Sequence, residues 1–171
     1  SNKRMSWDTA KKAIDFFLKR NIELPEIIIG FYGGEPLLEF ELIKQCVTYV
    51  ENIVEGKNVL FNMTTNGTLL TDEVVDFLVE KDFHLSISLD GSREEHDINR
   101  KFRDGTGSFN TIISNIQRIK SRYPQYNKKL TIMTTVNPYM DLGCVLEFFN
   151  TDEVLNDKYI MFNSMNETSL A

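Results

Sequence analysis

Apolar positions recur along this chain at two spacings, one helical and one extended, and the alternation between them outlines the fold. Ala10, Ala13, Ile14, Phe17 and Leu18 fall three and four residues apart, the stripe of a helix with one buried face. Ser6 suits its N-cap and Asp8 the positive end of its dipole. After Pro25, the β-branched run Glu26-Ile27-Ile28-Ile29 predicts a buried strand. A second helical stripe carries Ile43, Cys46, Val47, Val50, Ile53 and Val54, and Gly56 stops it. Val59 to Met63 predicts the next strand. Thr71 then caps a helix that buries Val74, Val75, Leu78 and Val79.

The third strand, His84 to Leu89, alternates cleanly, with Leu85, Ile87 and Leu89 on one face and Ser86 and Ser88 on the other. A polar connection is expected over 92–107. Ser108 then caps a helix with Phe109, Ile112, Ile113, Ile116 and Ile119 on its buried side. A strand over 130–136, a short helix over 141–150 (Leu142, Val145, Leu146, Phe149) and a strand over 159–162 complete the pattern.

Helix and strand therefore alternate throughout, beginning with a helix and joined by short links. That order predicts βαβ units, a parallel sheet and right-handed crossovers. The expected fold is α/β, a partial parallel (β/α) TIM-like barrel. A length of 171 residues with 42% hydrophobic content fits one domain. The domain is expected over 5–163, with residues 1–4 read as a tag remnant and 164–171 as a polar tail.

Net charge is −6 and the 19 basic residues are scattered, which gives no basic surface for nucleic acid. No apolar run approaches the roughly 18 residues of a membrane span. The first twenty residues read as a charged helix rather than a signal peptide. The only two cysteines, Cys46 and Cys144, lie far apart and form no metal-binding spacing. A reduced, cytoplasmic setting is the default expectation.

Candidate chemistry collects where strands end: Gly33-Gly34-Glu35, Thr65-Asn66-Gly67, Ser88-Leu89-Asp90-Gly91, Asn137-Pro138 and Asn163. In a parallel α/β fold these ends share one face, and ligands bind there. Gly33 and Gly34 permit φ > 0 and remove Cβ atoms that would keep a ligand off the backbone. Glu35 suits an ammonium or hydroxyl. Ser88 is expected to point into the barrel mouth with Asp90 at its rim, a pairing suited to a ribose diol. Arg100, with Arg103 as competitor, can hold a carboxylate from the following loop. His96-Asp97 invites an acid–base reading without a visible third partner. Cys46 sits on a buried stripe and reads as a core thiol.

Three of these stretches together resemble radical SAM enzymes. They are Phe31-Tyr32-Gly33-Gly34-Glu35-Pro36, Thr64-Thr65-Asn66-Gly67-Thr68-Leu69-Leu70 and Ser86-Ile87-Ser88-Leu89-Asp90-Gly91. His96-Asp97 through Arg100 and Gly105-Thr106-Gly107-Ser108-Phe109 are similar to the peptide- and protein-modifying branch with a SPASM extension, which includes anaerobic sulfatase-maturating enzymes. The resemblance implies a (β/α)6 core, S-adenosylmethionine and a 4Fe-4S cluster on a CxxxCxxC loop, with hydrogen abstraction from a peptide or protein substrate. It places the methionine ammonium at Glu35 with Gly33 and Gly34, the ribose at Ser88 and Asp90, and the pocket lining at Thr65 and Asn66. It also places the methionine carboxylate at Arg100 and the sugar or adenine side at Asn137.

The chain departs from that pattern in having no CxxxCxxC. It is therefore expected to be a truncated core that lacks the family's first strand and does not assemble the cluster. It is also expected to bind S-adenosylmethionine weakly or not at all, and to be able to self-associate through an uncovered edge strand. A degenerate barrel that binds a nucleoside or peptide without catalysis is the competing expectation.

Overall fold

The computed structural model describes residues 4–54, 56–138 and 140–164. Five strands form one parallel sheet: β1 (Glu26–Phe31), β2 (Asn58–Thr65), β3 (His84–Ser88), β4 (Thr131–Val136) and β5 (Tyr159–Ser164). Their order in the sheet is their order in the chain. Right-handed crossovers between successive neighbours all place their helices on the same side. The result is the open wall of a partial barrel.

The helices are α1 (Trp7–Asn21), α2 (Phe40–Ile53), α3 (Asp72–Glu80), α4 (Arg93–Asn99), α5 (Phe109–Arg122), α6 (Pro124–Asn127) and α7 (Leu142–Thr151). A 3-10 turn over Pro36–Glu39 leads into α2. Register makes the two faces of the sheet chemically distinct. Met63 pairs with Leu85, and Thr65 with Ile87, which pairs in turn with Ile132; all five are buried against the helical layer. The fully buried Ile87 contributes about 1.5–3 kcal/mol by leaving water. Alternate residues Ile28, Asn62, Ser86, Thr131, Tyr159 and Met161 line the other, concave face, where they are partly or fully exposed.

The pattern of apolar residues predicted the elements well and their burial less evenly. β1 is an edge strand, and Ile28 is exposed because it points to the concave face, so this strand is buried on one side only. Ile53, Leu142 and Leu146 are exposed, and Val79 is only half-buried, because each lies at the margin of its helix's contact with the sheet. The expected polar connection over 92–107 contains α4, a helix without an apolar stripe whose only buried residue is His96.

Ser164 lies in β5 rather than in a tail. Residues 165–171, expected as the rest of the tail, and 1–3, expected as a tag remnant, lie outside the described residues. Arg4, also assigned to the tag, pairs with Glu39 at 3.1 Å. Among the described residues, no helix is long and apolar enough to cross a membrane.

Candidate ligand site at the strand ends

The loop after β1 is anchored by its carboxylate. Glu35 is the N-cap of the 3-10 turn, and its Oε1 accepts from Leu37 N at 3.0 Å. The same oxygen accepts the Thr65 hydroxyl at 2.8 Å, while Oε2 accepts Asn66 N at 2.7 Å. Glu35 thus meets the end of β2 and is spoken for by three protein donors. A carboxylate has about four acceptor positions, so roughly one remains on Oε2. Gly33 and Gly34 lie beside it, exposed, with no atom within 4 Å of where a Cβ would be. Neither glycine adopts positive φ. What they provide is an uncovered backbone, not the left-handed geometry that the sequence allowed.

The β2 end is a tight turn. Thr65 is buried and accepts Gly67 N at 3.1 Å, and Asn66 Oδ1 accepts Thr68 N at 2.9 Å and the Thr68 hydroxyl at 2.7 Å. Gly67 has φ +75°, and a Cβ there would sit 2.8 Å from Ile87 Cγ2. Its carbonyl accepts from the Nδ2 of Asn115, a buried asparagine on α5. Asn115 escaped the sequence reading. Its signal was a lone amide on the apolar stripe Ile112, Ile116, Ile119.

Ser88 ends β3 half-buried, and among the described residues its hydroxyl has no side-chain partner. Asp90 does not stand at an open rim. It is buried, and Arg100 grips it through both Nε and Nη2, with Nη2 to Oδ1 at 3.1 Å. Thr135 N also donates to Asp90 Oδ1 at 2.9 Å, and Arg100 Nη2 reaches Thr135 Oγ1 at 3.3 Å. The two residues expected to serve ribose and carboxylate separately therefore form one unit across β3 and β4. Asn137 lies half-buried just past β4, at the same end of the sheet. Arg103 is exposed in the loop beyond Arg100, outside this unit.

His96 acquires the partners that the sequence could not show. It is buried; Asp90 N donates to Nδ1 at 3.2 Å, and Nε2 lies 2.9 Å from Ser108 Oγ. Burial lowers its pKa to about 4 despite the opposing field of Asp90. Ser108 does not cap α5 with its side chain. Asp97 does this instead, accepting Phe109 N at 3.0 Å.

An iron–sulfur cluster needs converging thiolates, and the cysteines here do not fit one. Cys46 is buried on α2, where desolvation pushes its thiol pKa up. Cys144 is exposed on α7, raised by the neighbouring Asp141 carboxylate. Among the described residues no group of three or more His, Cys, Asp or Glu is placed to hold a metal ion.

Residues 2–150 match the family described as the Radical SAM superfamily. An uncharacterized protein of Methanocaldococcus jannaschii is 35% identical over 145 residues, covering 82% of this chain and 48% of that protein. The serine-type anaerobic sulfatase-maturating enzyme of Bacteroides thetaiotaomicron is 29% identical over 159 residues, covering 92% of this chain and 37% of the enzyme. The solved structure of native anSMEcpe with bound AdoMet and Kp18Cys peptide shares the fold, with a TM-score of 0.75 at 23% identity over 90% of this chain and 42% of that one. The chain spans less than half the length of each.

Proposed function

The chain belongs to the radical SAM superfamily, and on that premise we propose that its strand-end surface binds S-adenosylmethionine in an enzyme acting on a peptide or protein substrate. The observation that carries this reading is the junction of Glu35 with Thr65 and Asn66, 2.8 and 2.7 Å apart at the ends of adjacent strands beside the uncovered Gly33-Gly34 backbone. An ammonium approaching there finds the uncovered backbone of Gly33 and Gly34 and the remaining acceptor position of Glu35. Thr65 and Asn66 act by holding that carboxylate still.

The ribose role falls to Ser88, whose hydroxyl is uncommitted among the described residues, while Asp90 is spent on Arg100. Arg100 keeps part of its guanidinium for a carboxylate, and Asn137 stands beside β4 for the sugar or adenine side. In this family the chemistry is reductive cleavage of S-adenosylmethionine and hydrogen abstraction from the substrate. A peptide or protein substrate is supported by relatives named as sulfatase-maturating enzymes and by the likeness to a structure holding a peptide. The concave face offers such a substrate an exposed mixed surface that includes Ile28, Tyr159 and Met161.

A non-catalytic barrel that binds a nucleoside or peptide is the second reading, favoured by the poor fit of Cys46 and Cys144 to a cluster. An anaerobic assay for 5′-deoxyadenosine, run on the reconstituted gene product that carries this chain, separates the two. Release of 5′-deoxyadenosine is expected, with KM for S-adenosylmethionine raised about tenfold in Ser88→Ala by loss of one hydrogen bond. Binding without release supports the second reading.

A further inference from the structure

Four residues from three segments close a ring behind the strand ends. Asp90 N–H donates to His96 Nδ1 at 3.2 Å. His96 Nε2 meets Ser108 Oγ at 2.9 Å, and the Ser108 hydroxyl donates to the Arg100 carbonyl at 3.0 Å. The Arg100 guanidinium returns to the Asp90 carboxylate. The directions are mutually determined. Ser108 spends its proton on Arg100 O, so its oxygen accepts from His96, and the imidazole proton must lie on Nε2. Nδ1 then keeps the lone pair that Asp90 N–H requires. Both nitrogens of His96 are consumed by the protein, and the ring is buried, which leaves it nothing to offer a substrate as acid or base.

We propose that His96 and Ser108 are positioning residues that fix the Asp90–Arg100 pair through its backbone, so that Arg100 presents its remaining N–H groups to a ligand carboxylate at the strand ends. The ligand's identity rests on the function proposed above; the ring does not. Each member of the pair is held from behind: Asp90 by its amide, Arg100 by its carbonyl, which also accepts Ser108 N at 3.2 Å. Their side chains are left facing each other and Thr135. The connection from Gly91 to Gly107 is also ordered by α4, by the Lys101–Gly107 bridge and by the Asp97 bond to Phe109 N, but of these contacts the His96–Ser108 grip is the one that reaches the backbone of both Asp90 and Arg100. The charged groups around the imidazole are Asp90, Arg100 and Asp97, and Phe109 of α5 packs on it edge-on at 6.0 Å. An imidazolium would turn a second donor toward Asp90 N–H and open the ring.

Two measurements test this. Long-range 1H–15N correlation of the histidine rings in the chain at pH 6 is expected to show His96 neutral with its proton on Nε2. The exposed His84 provides the internal comparison. An Nδ1 proton or an imidazolium on His96 overturns the ring, and this readout needs no variant and no substrate. In the gene product carrying the chain, Ser108→Ala is expected to raise KM for S-adenosylmethionine about tenfold while kcat changes less than about threefold. Ser108→Thr, which keeps the hydroxyl, is expected to restore KM to within about twofold.

An unchanged KM in Ser108→Ala, or no rescue by Ser108→Thr, overturns the positioning role. If the wild-type protein does not use S-adenosylmethionine at all, the functional reading fails on its own. The ring is then judged by the tautomer and by whether Ser108→Ala shifts the Arg100 Nε–H resonance in the ligand-free chain. An unshifted resonance counts against it.

Discussion

The Thr65 hydroxyl donates to Glu35 Oε1 at 2.8 Å, and together with the Asn66 N bond to Oε2 it fastens the glycine loop after β1 to the end of β2. Thr65 is buried and also accepts Gly67 N, so its hydroxyl serves two loops at once. Thr65→Val keeps the shape, leaves Gly67 N without this acceptor and takes from Glu35 Oε1 one of its two donors. It is expected to lower unfolding stability by about 1–3 kcal/mol, read from urea denaturation. Thr65→Ser should recover most of the loss. Equal stability of wild type and Thr65→Val would show that the fastening carries no energy.

Glycines in neighbouring loops are expected to respond in opposite ways. Gly67→Ala forces a Cβ to 2.8 Å from Ile87 at φ +75°, combining strain with overpacking, and is expected to cost about 1–3 kcal/mol. Gly33→Ala meets open space without positive φ, so stability should change by less than about 0.5 kcal/mol. Any effect there should appear in ligand binding instead. Thermal denaturation of the two variants side by side checks the contrast.

Stability should fall as pH drops from 6.5 toward 4. Unfolded, His96 takes up a proton near pH 6.5; folded, burial delays this to about 4. Between those values the unfolded chain binds more protons, so acid favours unfolding there. The contribution is complete above about 6.5 and lost by about 4, with a size on the order of 3 kcal/mol. Urea midpoints at pH 7 and 5 for wild type and His96→Gln isolate it from the carboxylates, and the variant should show the shallower pH slope. Parallel slopes would remove His96 from the account.

Breaking the Asp90–Arg100 pair from one side should cost more than replacing both partners. Arg100→Met leaves a buried carboxylate supported, among the described residues, by Thr135 N alone, a loss of about 2–4 kcal/mol. Asp90→Asn combined with Arg100→Met removes the stranded charge and should regain part of that stability. A double-mutant cycle by chemical denaturation measures the coupling. Strict additivity would mean that the two side chains do not act as a unit.

Some of this was legible along the chain and some was not. The alternation of Leu85, Ile87 and Leu89 with Ser86 and Ser88 is a local pattern, and the sheet buries the first set and half-exposes the second as that pattern requires. α4 was missed because its sequence, Arg93 to Asn99, has no apolar stripe; it is tied down by His96, whose contacts lie before and after it. Ser108 looked like a helix cap because caps are recognised by adjacency, yet its hydroxyl is diverted to Arg100 and Asp97 caps α5 instead.

By itself the sequence determined the alternating α/β order, the parallel sheet and the cluster of Gly33-Gly34-Glu35, Thr65-Asn66 and Ser88 at strand ends, because periodicity and turn chemistry act between near neighbours. Only the tertiary structure decided how those polar groups are spent. Glu35 and Thr65 are 30 positions apart, and Arg100 and Thr135 are 35. Which donor satisfies which buried acceptor across such distances depends on strand register and loop path, and neither is written in local spacing. The carboxylates that looked available for a ligand turned out to be largely committed to the protein, since a buried charge without such partners would cost more than the fold can bear.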